Sequence, residues 1–281
     1  MQAAKNQANC VALITGANVG IGRVTAIELA RTGAQIVIAG RSLERTRSTL
    51  DVIDALPGAR RAIFLPLDLA SLGSVRECAN RFTALNLPLH LLINNAGVAG
   101  ARGVTQDGFE MMFGVNHLGH FLLTQLLLPV LLESGRARVI TVSSRAHKRT
   151  AGIDWAALRR PTSSFTGIRE YAVSKLANLL FSAELGRKLR GTAVSTYSLH
   201  PGVVDTEIWR AVPSWLRPML RLRGMITAEA GALTSLYCAQ TAPQSETGLY
   251  YSECAVASPS PLGQDMALAQ ELWQRSAQWT Q

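Results

Sequence analysis

Short apolar runs separated by longer segments of helical periodicity constrain this chain more than any single motif does. Residues 10–15, 35–39, 61–67, 89–93, 137–143 and 193–199 read as strands. The intervening residues 20–31, 42–55, 72–83, 108–132 and 170–189 read as helices. Near-continuous apolar strands are buried on both faces, and strands joined through helices lie parallel. The alternation therefore predicts an α/β fold: a single-domain, Rossmann-type, doubly wound parallel sheet with helices on both faces, spanning residues 1–281. On such a sheet, ligands bind at the carboxyl ends of the strands.

Composition narrows the function. With 48% hydrophobic and 17% charged residues, the 281-residue chain is globular rather than disordered. Cys10, Cys78, Cys238 and Cys254 form no CxxC pair, which argues against a zinc site or disulfide framework. They suit a reducing compartment, so a cytoplasmic location is expected. The first ten residues contain no apolar core, so no secretory signal is expected. The most apolar run, 121–132, is broken by Gln125 and Pro129. It is shorter than the ~20 residues of a membrane span, and no integral membrane segment is expected. The formal charge of +9 is dispersed, with no tract of five basic residues. Nucleic acid is therefore not an expected partner, whereas weak peripheral attraction to a membrane surface stays open. His117, His120 and His200 lack carboxylates at metal-ligand spacing, so no metal is expected.

Thr15-Gly16-Ala17-Asn18-Val19-Gly20-Ile21-Gly22 joins the first strand to the first helix. Glycine permits a tight turn and close backbone approach, while a helix N-terminus favours a pyrophosphate. The spacing is GxxxGxG rather than GxGxxG. At the end of the second strand, an acid would bind a ribose 2′-hydroxyl, whereas arginine suits a 2′-phosphate. The residue there is Arg41, which predicts NADP(H).

Tyr171 and Lys175 stand four residues apart on one expected helix, so they share a face. A free tyrosine has a pKa near ~10, and a neighbouring cation favours its phenolate. Two unit charges ~4 Å apart at an effective dielectric of ~20 interact by about 4 kcal/mol, enough to lower that pKa by up to a few units.

Taken in order, the glycine turn, Asp68, Asn94-Asn95-Ala96-Gly97, Asn116, Ser144, Tyr171, Lys175 and Pro201-Gly202 resemble the short-chain dehydrogenase/reductase family over roughly residues 9–255. The stretches Tyr171-Ala172-Val173-Ser174-Lys175-Leu176-Ala177-Asn178, Val115-Asn116-His117-Leu118-Gly119-His120-Phe121 and Leu199-His200-Pro201-Gly202-Val203 are similar to the retinol dehydrogenase group. The long approach from Ser144 to Tyr171 is similar to that group too. The resemblance implies a catalytic set of Asn116, Ser144, Tyr171 and Lys175, with Ser143 as the competing serine. Asn116 would hold a water behind the lysine. Gly16, Gly20 and Gly22 would shape the pyrophosphate turn, and Asp68 with backbone at Leu69 would bind the adenine amino group. Asn94, Ala96 and Gly97 would line the ribose and support the central strand. Thr206 would touch the carboxamide or phosphate. Asn18, Ile21, Arg41, Tyr171, Lys175, Pro201, Gly202 and Val204 complete the implied cofactor set.

The implied activity is NADP(H)-dependent interconversion of a small apolar alcohol with its aldehyde or ketone, as in a carbonyl reductase. A hydroxysteroid dehydrogenase and a non-catalytic NADP(H)-binding sensor or scaffold are the alternatives. Membrane-bound retinol dehydrogenases carry a hydrophobic N-terminal anchor that is not expected here, so the lipophilic substrate stays unnamed. Residues 203–227, rich in Trp, Leu, Met and Pro, read either as a substrate lid or as a packed helical interface. The helices 108–132 and 170–189 form the usual dimer surface in the proteins it resembles, so a homodimer or homotetramer is compatible.

Overall fold

The computed structural model describes residues 9–202 and 226–281. One eight-stranded sheet runs in the order β3-β2-β1-β4-β5-β6-β7-β8. Its strands are β1 (Val11–Thr15), β2 (Gln35–Gly40), β3 (Ile63–Pro66), β4 (Leu91–Asn94), β5 (Ala137–Val142), β6 (Val194–His200), β7 (Tyr250–Ser252) and β8 (Ala255–Val256). All neighbours pair in parallel except β7 and β8, which form an antiparallel hairpin at the edge. The strand order reverses between β1 and β4, which opens the crevice where such sheets bind nucleotides.

The helices are α1 (Gly20–Arg31), α2 (Leu43–Asp54), α3 (Leu72–Ala84), α4 (Met111–Glu133), α5 (Ile168–Lys188), α6 (Ala228–Gln240) and α7 (Met266–Trp279). Alternate strand residues point to opposite faces, and this divides the core in two. Val11 and Leu13 join Leu92, Val139, Phe82 and Phe121 on one side. Ala12 and Ile14 join Ile36, Ile38 and Ile93 on the other, beneath α1 and α6. The expected strands and helices are present with shifted ends; the third strand shortens from 61–67 to Ile63–Pro66. By length and composition α4 could cross a membrane, yet most of its apolar stretch is buried in this core.

α4 carries a π-turn at Gly114–Leu118, in which the Gly119 N–H reaches back to the Gly114 carbonyl. Both bounding glycines are sterically required. A Cβ on Gly114 would lie 2.3 Å from Thr105 Cγ2, and one on Gly119 would lie 2.8 Å from the Leu69 carbonyl. The C-terminal helix α7 packs along α5. Its Trp273 stacks on Phe181 with centroids 5.9 Å apart and meets Phe121 edge-on at 5.1 Å. Its Trp279 lies against Phe109 and Phe113.

Candidate active site at the carboxyl edge of the sheet

Thr15 closes β1 and organises the glycine turn. Its buried hydroxyl accepts the N–H groups of Asn95 at 3.0 Å and Ala96 at 2.9 Å and meets His120 Nε2 at 2.9 Å. Asn95 Nδ2 returns bonds to the carbonyls of Thr15 (2.8 Å) and Gly16 (3.3 Å). Gly16 and Gly20 adopt positive φ, at 67° and 58°. A Cβ at Gly22 would stand 2.4 Å from Asn95 Nδ2 and 2.7 Å from the Gly16 carbonyl. α1 then starts without a side-chain cap or an acid in its first turn, whereas Ser42, Ser71, Thr227 and Asp265 cap α2, α3, α6 and α7. The first N–H groups of α1, at the positive end of its dipole, therefore fit an anionic phosphate group.

Beside this turn lies a cavity of about 70 Å³ lined by Ala17, Asn18, Gly40, Arg41, Ser42 and Arg45. Arg41 and Arg45 are both exposed, and no acid lines the cavity. A larger open depression, about 500 Å³, lies at the opposite end of β6 near Arg190 and Gln244, away from every residue of this site. Asp68 is partly exposed beyond β3; its carboxylate accepts the Ala70 N–H at 3.0 Å, and its neighbour Leu69 is buried. Asn94 points away from the turn, into the protein, and donates to Thr124 on α4 at 3.0 Å. Asn95, not singled out in the sequence, is the amide that faces the turn.

The serine pair divides clearly. Ser143 is buried and donates to the Lys175 carbonyl at 2.7 Å. Ser144 is partly exposed, and its hydroxyl accepts the Ala146 N–H at 3.2 Å. Lys175, only 2% exposed, donates from Nζ to the Val142 carbonyl at 3.0 Å, with Asn178 Nδ2 on the same oxygen at 3.1 Å. Its ammonium lies 5.7 Å from the centroid of the Tyr171 ring. A Cβ on Gly97 would approach Lys175 Nζ to 3.5 Å and Asn116 Oδ1 to 3.3 Å, so this glycine also belongs to the cluster.

Asn116 sits within the π-turn and is fully buried. Its Oδ1 accepts the Val98 N–H at 2.8 Å, and its Nδ2 donates to the Val98 carbonyl (2.9 Å) and the Ser174 hydroxyl (2.9 Å). The expected water-holding side chain is thus committed to bracing two segments. Its carbonyl meets His120 Nδ1 at 3.0 Å.

Electrostatically, the polypeptide departs from the expected depression of the tyrosine pKa. Burial pushes Tyr171 up to about 12, and a hydrogen bond with Ser144 only partly opposes it. Burial also lowers Lys175 to about 8. Desolvation of the charged form is the leading cause of both shifts. His200 closes β6, with Nδ1 accepting the Arg145 N–H at 3.4 Å. Gly202 follows at φ 94°, where a Cβ would collide with Ile226 at 2.4 Å. Val204, Thr206 and residues 203–225 of the expected lid lie outside the described residues.

The fold agrees with three comparisons. The short chain dehydrogenase profile matches residues 10–158. Polyprenol dehydrogenase of Mus musculus is 46% identical over 275 residues, covering 94% of this chain and 81% of its own. Retinol dehydrogenase 11 of Homo sapiens is 43% identical over 267 residues, covering 94% and 83%. A solved structure from Mycobacterium paratuberculosis superposes with a TM-score of 0.80 at 33% identity, covering 99% of this chain and 96% of that one. The RhlG/NADP active-site complex of Pseudomonas aeruginosa gives 0.71 at 27% identity, covering 89% and 96%. With the ordered motifs assembled at one edge of a doubly wound sheet, the chain belongs to the short-chain dehydrogenase family and is an oxidoreductase using a nicotinamide cofactor.

Proposed function

We propose that this oxidoreductase uses NADP(H) and interconverts an apolar alcohol with its aldehyde or ketone, in the manner of a retinol dehydrogenase. The observation that carries the reading is the gathering of Ser144 and Tyr171, both partly exposed, with the buried ammonium of Lys175 5.7 Å from the centre of the Tyr171 ring. The nicotinamide supplies or accepts the hydride. In the reducing direction, the Ser144 hydroxyl donates a hydrogen bond to the substrate oxygen. Tyr171 passes its phenolic proton to that oxygen as charge builds there. Lys175 then faces the phenolate left behind. At an effective dielectric of ~20, charges ~5–6 Å apart attract by about 3 kcal/mol, roughly two pKa units. That attraction opposes the burial penalty on Tyr171 at the moment of transfer. Lys175 would also hold the nicotinamide ribose hydroxyls of a bound cofactor, and Asn116 keeps the lysine-bearing helix and Val98 in place.

The choice of NADP(H) rests on Arg41 and Arg45 flanking a cavity with no acid in its lining. A 2′-phosphate there meets two guanidinium groups and the N-terminal end of α2. Gly16, Asn18, Gly20, Ile21 and Gly22 hold the pyrophosphate. Asp68 and Leu69 hold the adenine, and Ala96, Gly97, Pro201 and Gly202 the nicotinamide half. The names of the retinol and polyprenol dehydrogenase relatives support a lipophilic substrate.

The test is NADPH and NADH oxidation with retinal, medium-chain aldehydes, aryl ketones and steroid ketones, run beside Tyr171→Phe. Turnover of an apolar carbonyl with NADPH, lost in the variant, supports the reading. Undiminished turnover in Tyr171→Phe overturns the tyrosine's role, and tight NADPH binding with no turnover on the panel indicates a sensor. Arg41→Asp should weaken NADPH far more than NADH; equal loss removes the 2′-phosphate contact.

A further inference from the structure

Phe165 is 96% exposed, and no other large apolar side chain among the described residues exceeds 57%. It does not sit on a loose loop. The Glu170 carboxylate accepts the N–H groups of Ser163 (3.1 Å) and Ser164 (2.8 Å) and the hydroxyls of both serines. From the other side, Arg102 donates to the carbonyls of Thr162 (3.4 Å), Ser164 (3.1 Å) and Phe165 (3.0 Å). Thr162 in turn donates to buried Glu110 at 2.6 Å. Burial works to raise the Glu170 carboxyl, and the hydrogen bonds prevail, holding it down at about 2. Gly167, at φ 70°, turns the chain into α5 through a left-handed conformation that favours glycine, with Met112 Cε and Gly100 Cα packed 3.2 and 3.3 Å from where a Cβ would stand. This frame fixes the backbone while leaving the ring in water. Ordering a loop costs conformational entropy, and here that cost holds an aromatic ring out rather than in.

The surroundings indicate what meets the ring. Val104 and Ile168, 40% and 42% exposed, lie on the same two segments that Arg102 ties together. Those segments also carry exposed Arg102, Arg159, Arg160 and Arg169. Four exposed arginines outnumber the acids of these segments: Glu110 is buried, Glu170 turns its carboxylate onto Ser163 and Ser164, and Asp107 accepts the Leu72 N–H at 2.9 Å. A projecting aromatic ring with apolar neighbours and a rim in which arginines outnumber carboxylates is complementary to an anionic interface with an apolar interior. The chain's formal charge of +9 acts in the same direction. The Tyr171 N–H bonds the Gly167 carbonyl at 3.0 Å, so this surface runs straight into the turn that carries Tyr171.

We infer that residues 160–168, with Arg102 and Val104, form a docking surface for an anionic lipid bilayer, into which the Phe165 ring inserts at headgroup depth. The inference is independent of the cofactor reading.

It is tested by co-sedimentation of the intact chain with vesicles of phosphatidylcholine alone and of phosphatidylcholine with about one-third phosphatidylserine. Phosphatidylserine vesicles should retain the protein, less so at high salt because exposed charges are screened. Phe165→Ser should weaken retention about tenfold, the order expected for losing partial burial of one aromatic ring. Arg169→Glu should weaken it on phosphatidylserine only. Phe165→Trp should gain fluorescence quenching by brominated lipid above that of the five native tryptophans. Turnover of a water-soluble aldehyde by Phe165→Ser reports that the variant is folded and reads the catalytic proposal separately. Equal retention of the wild type and Phe165→Ser overturns the inference, as does no retention of the wild type. Lost soluble turnover in Phe165→Ser without vesicle binding by the wild type assigns the ring to substrate handling and overturns it too.

Discussion

Asn116 Nδ2 donates to the Ser174 hydroxyl at 2.9 Å, which joins the π-turn of α4 to the residue immediately before Lys175. The Ser174 hydroxyl itself bonds the Tyr171 carbonyl at 2.8 Å. One buried amide therefore braces the helix turn that presents both the phenol and the ammonium.

Asn116→Ala should consequently act on geometry as well as stability. It strands the partly buried N–H and carbonyl of Val98, at a cost of about 1–2 kcal/mol. Denaturation midpoints should fall, and kcat should fall more than cofactor affinity. An unchanged kcat in a folded variant would show that the brace is not needed for chemistry.

The two adjacent serines should separate cleanly. Ser144→Ala removes the partly exposed hydroxyl and should lower kcat by about 100-fold or more with little change in stability. Ser143→Ala removes the bond to the Lys175 carbonyl and should cost about 1 kcal/mol of stability. Steady-state kinetics beside urea denaturation on both variants reads the contrast, and reversed effects would exchange the assignments.

Carbonyl reduction should decline in alkali. Tyr171, pushed to about 12 by burial, stays protonated through pH 9. Lys175, lowered to about 8 by burial, loses its charge as pH rises through that value. The cation that faces the developing phenolate is then gone, so kcat/KM should be flat near neutrality and fall above about pH 8. A rate that climbs from pH 7 to 9 would contradict the role given to Lys175.

Acid should unfold the protein through its buried imidazoles. Burial lowers His117 to about 3 and His120 and His200 to about 4, with neighbouring groups acting secondarily. The unfolded chain binds protons near pH ~6.5, so the stability these groups contribute is present above that pH and is lost as pH falls towards 4. At pH 5 each costs about 2 kcal/mol. Thermal midpoints measured from pH 7 to 4.5 should drop steeply, and His117→Gln should flatten the slope; an unchanged slope would remove His117 from this account.

Period and punctuation made much of this architecture legible. Val11 and Leu13 face one core while Ala12 and Ile14 face the other, as the strand period requires. The glycine turn, Ser144, Tyr171 and Lys175 stand out in sequence by residue type and order, and the structure brings them to one edge of the sheet. Asn95 was not: it and Asn94 are the same residue type side by side, and only the end of β4 decides which amide faces the turn. Arg45 reads in sequence as a solvated helix residue, and its place at the cavity appears only once α2 is set beside β2. The π-turn leaves no periodic signature because five residues are too few to shift a helical pattern. β7, β8, α6 and α7 were not anticipated. The two strands are only three and two residues long, and α6 is apolar around most of its circumference.

The packing of α7 bears on how the chain behaves when diluted. Trp273 and Trp279 close an apolar seam across α4 and α5 from within the same polypeptide. The closing helix is tethered, so its effective concentration at its seat is set by chain connectivity rather than by how much protein is in solution. Burial of that seam is therefore exempt from mass action, and it contributes the same stability at nanomolar as at millimolar protein.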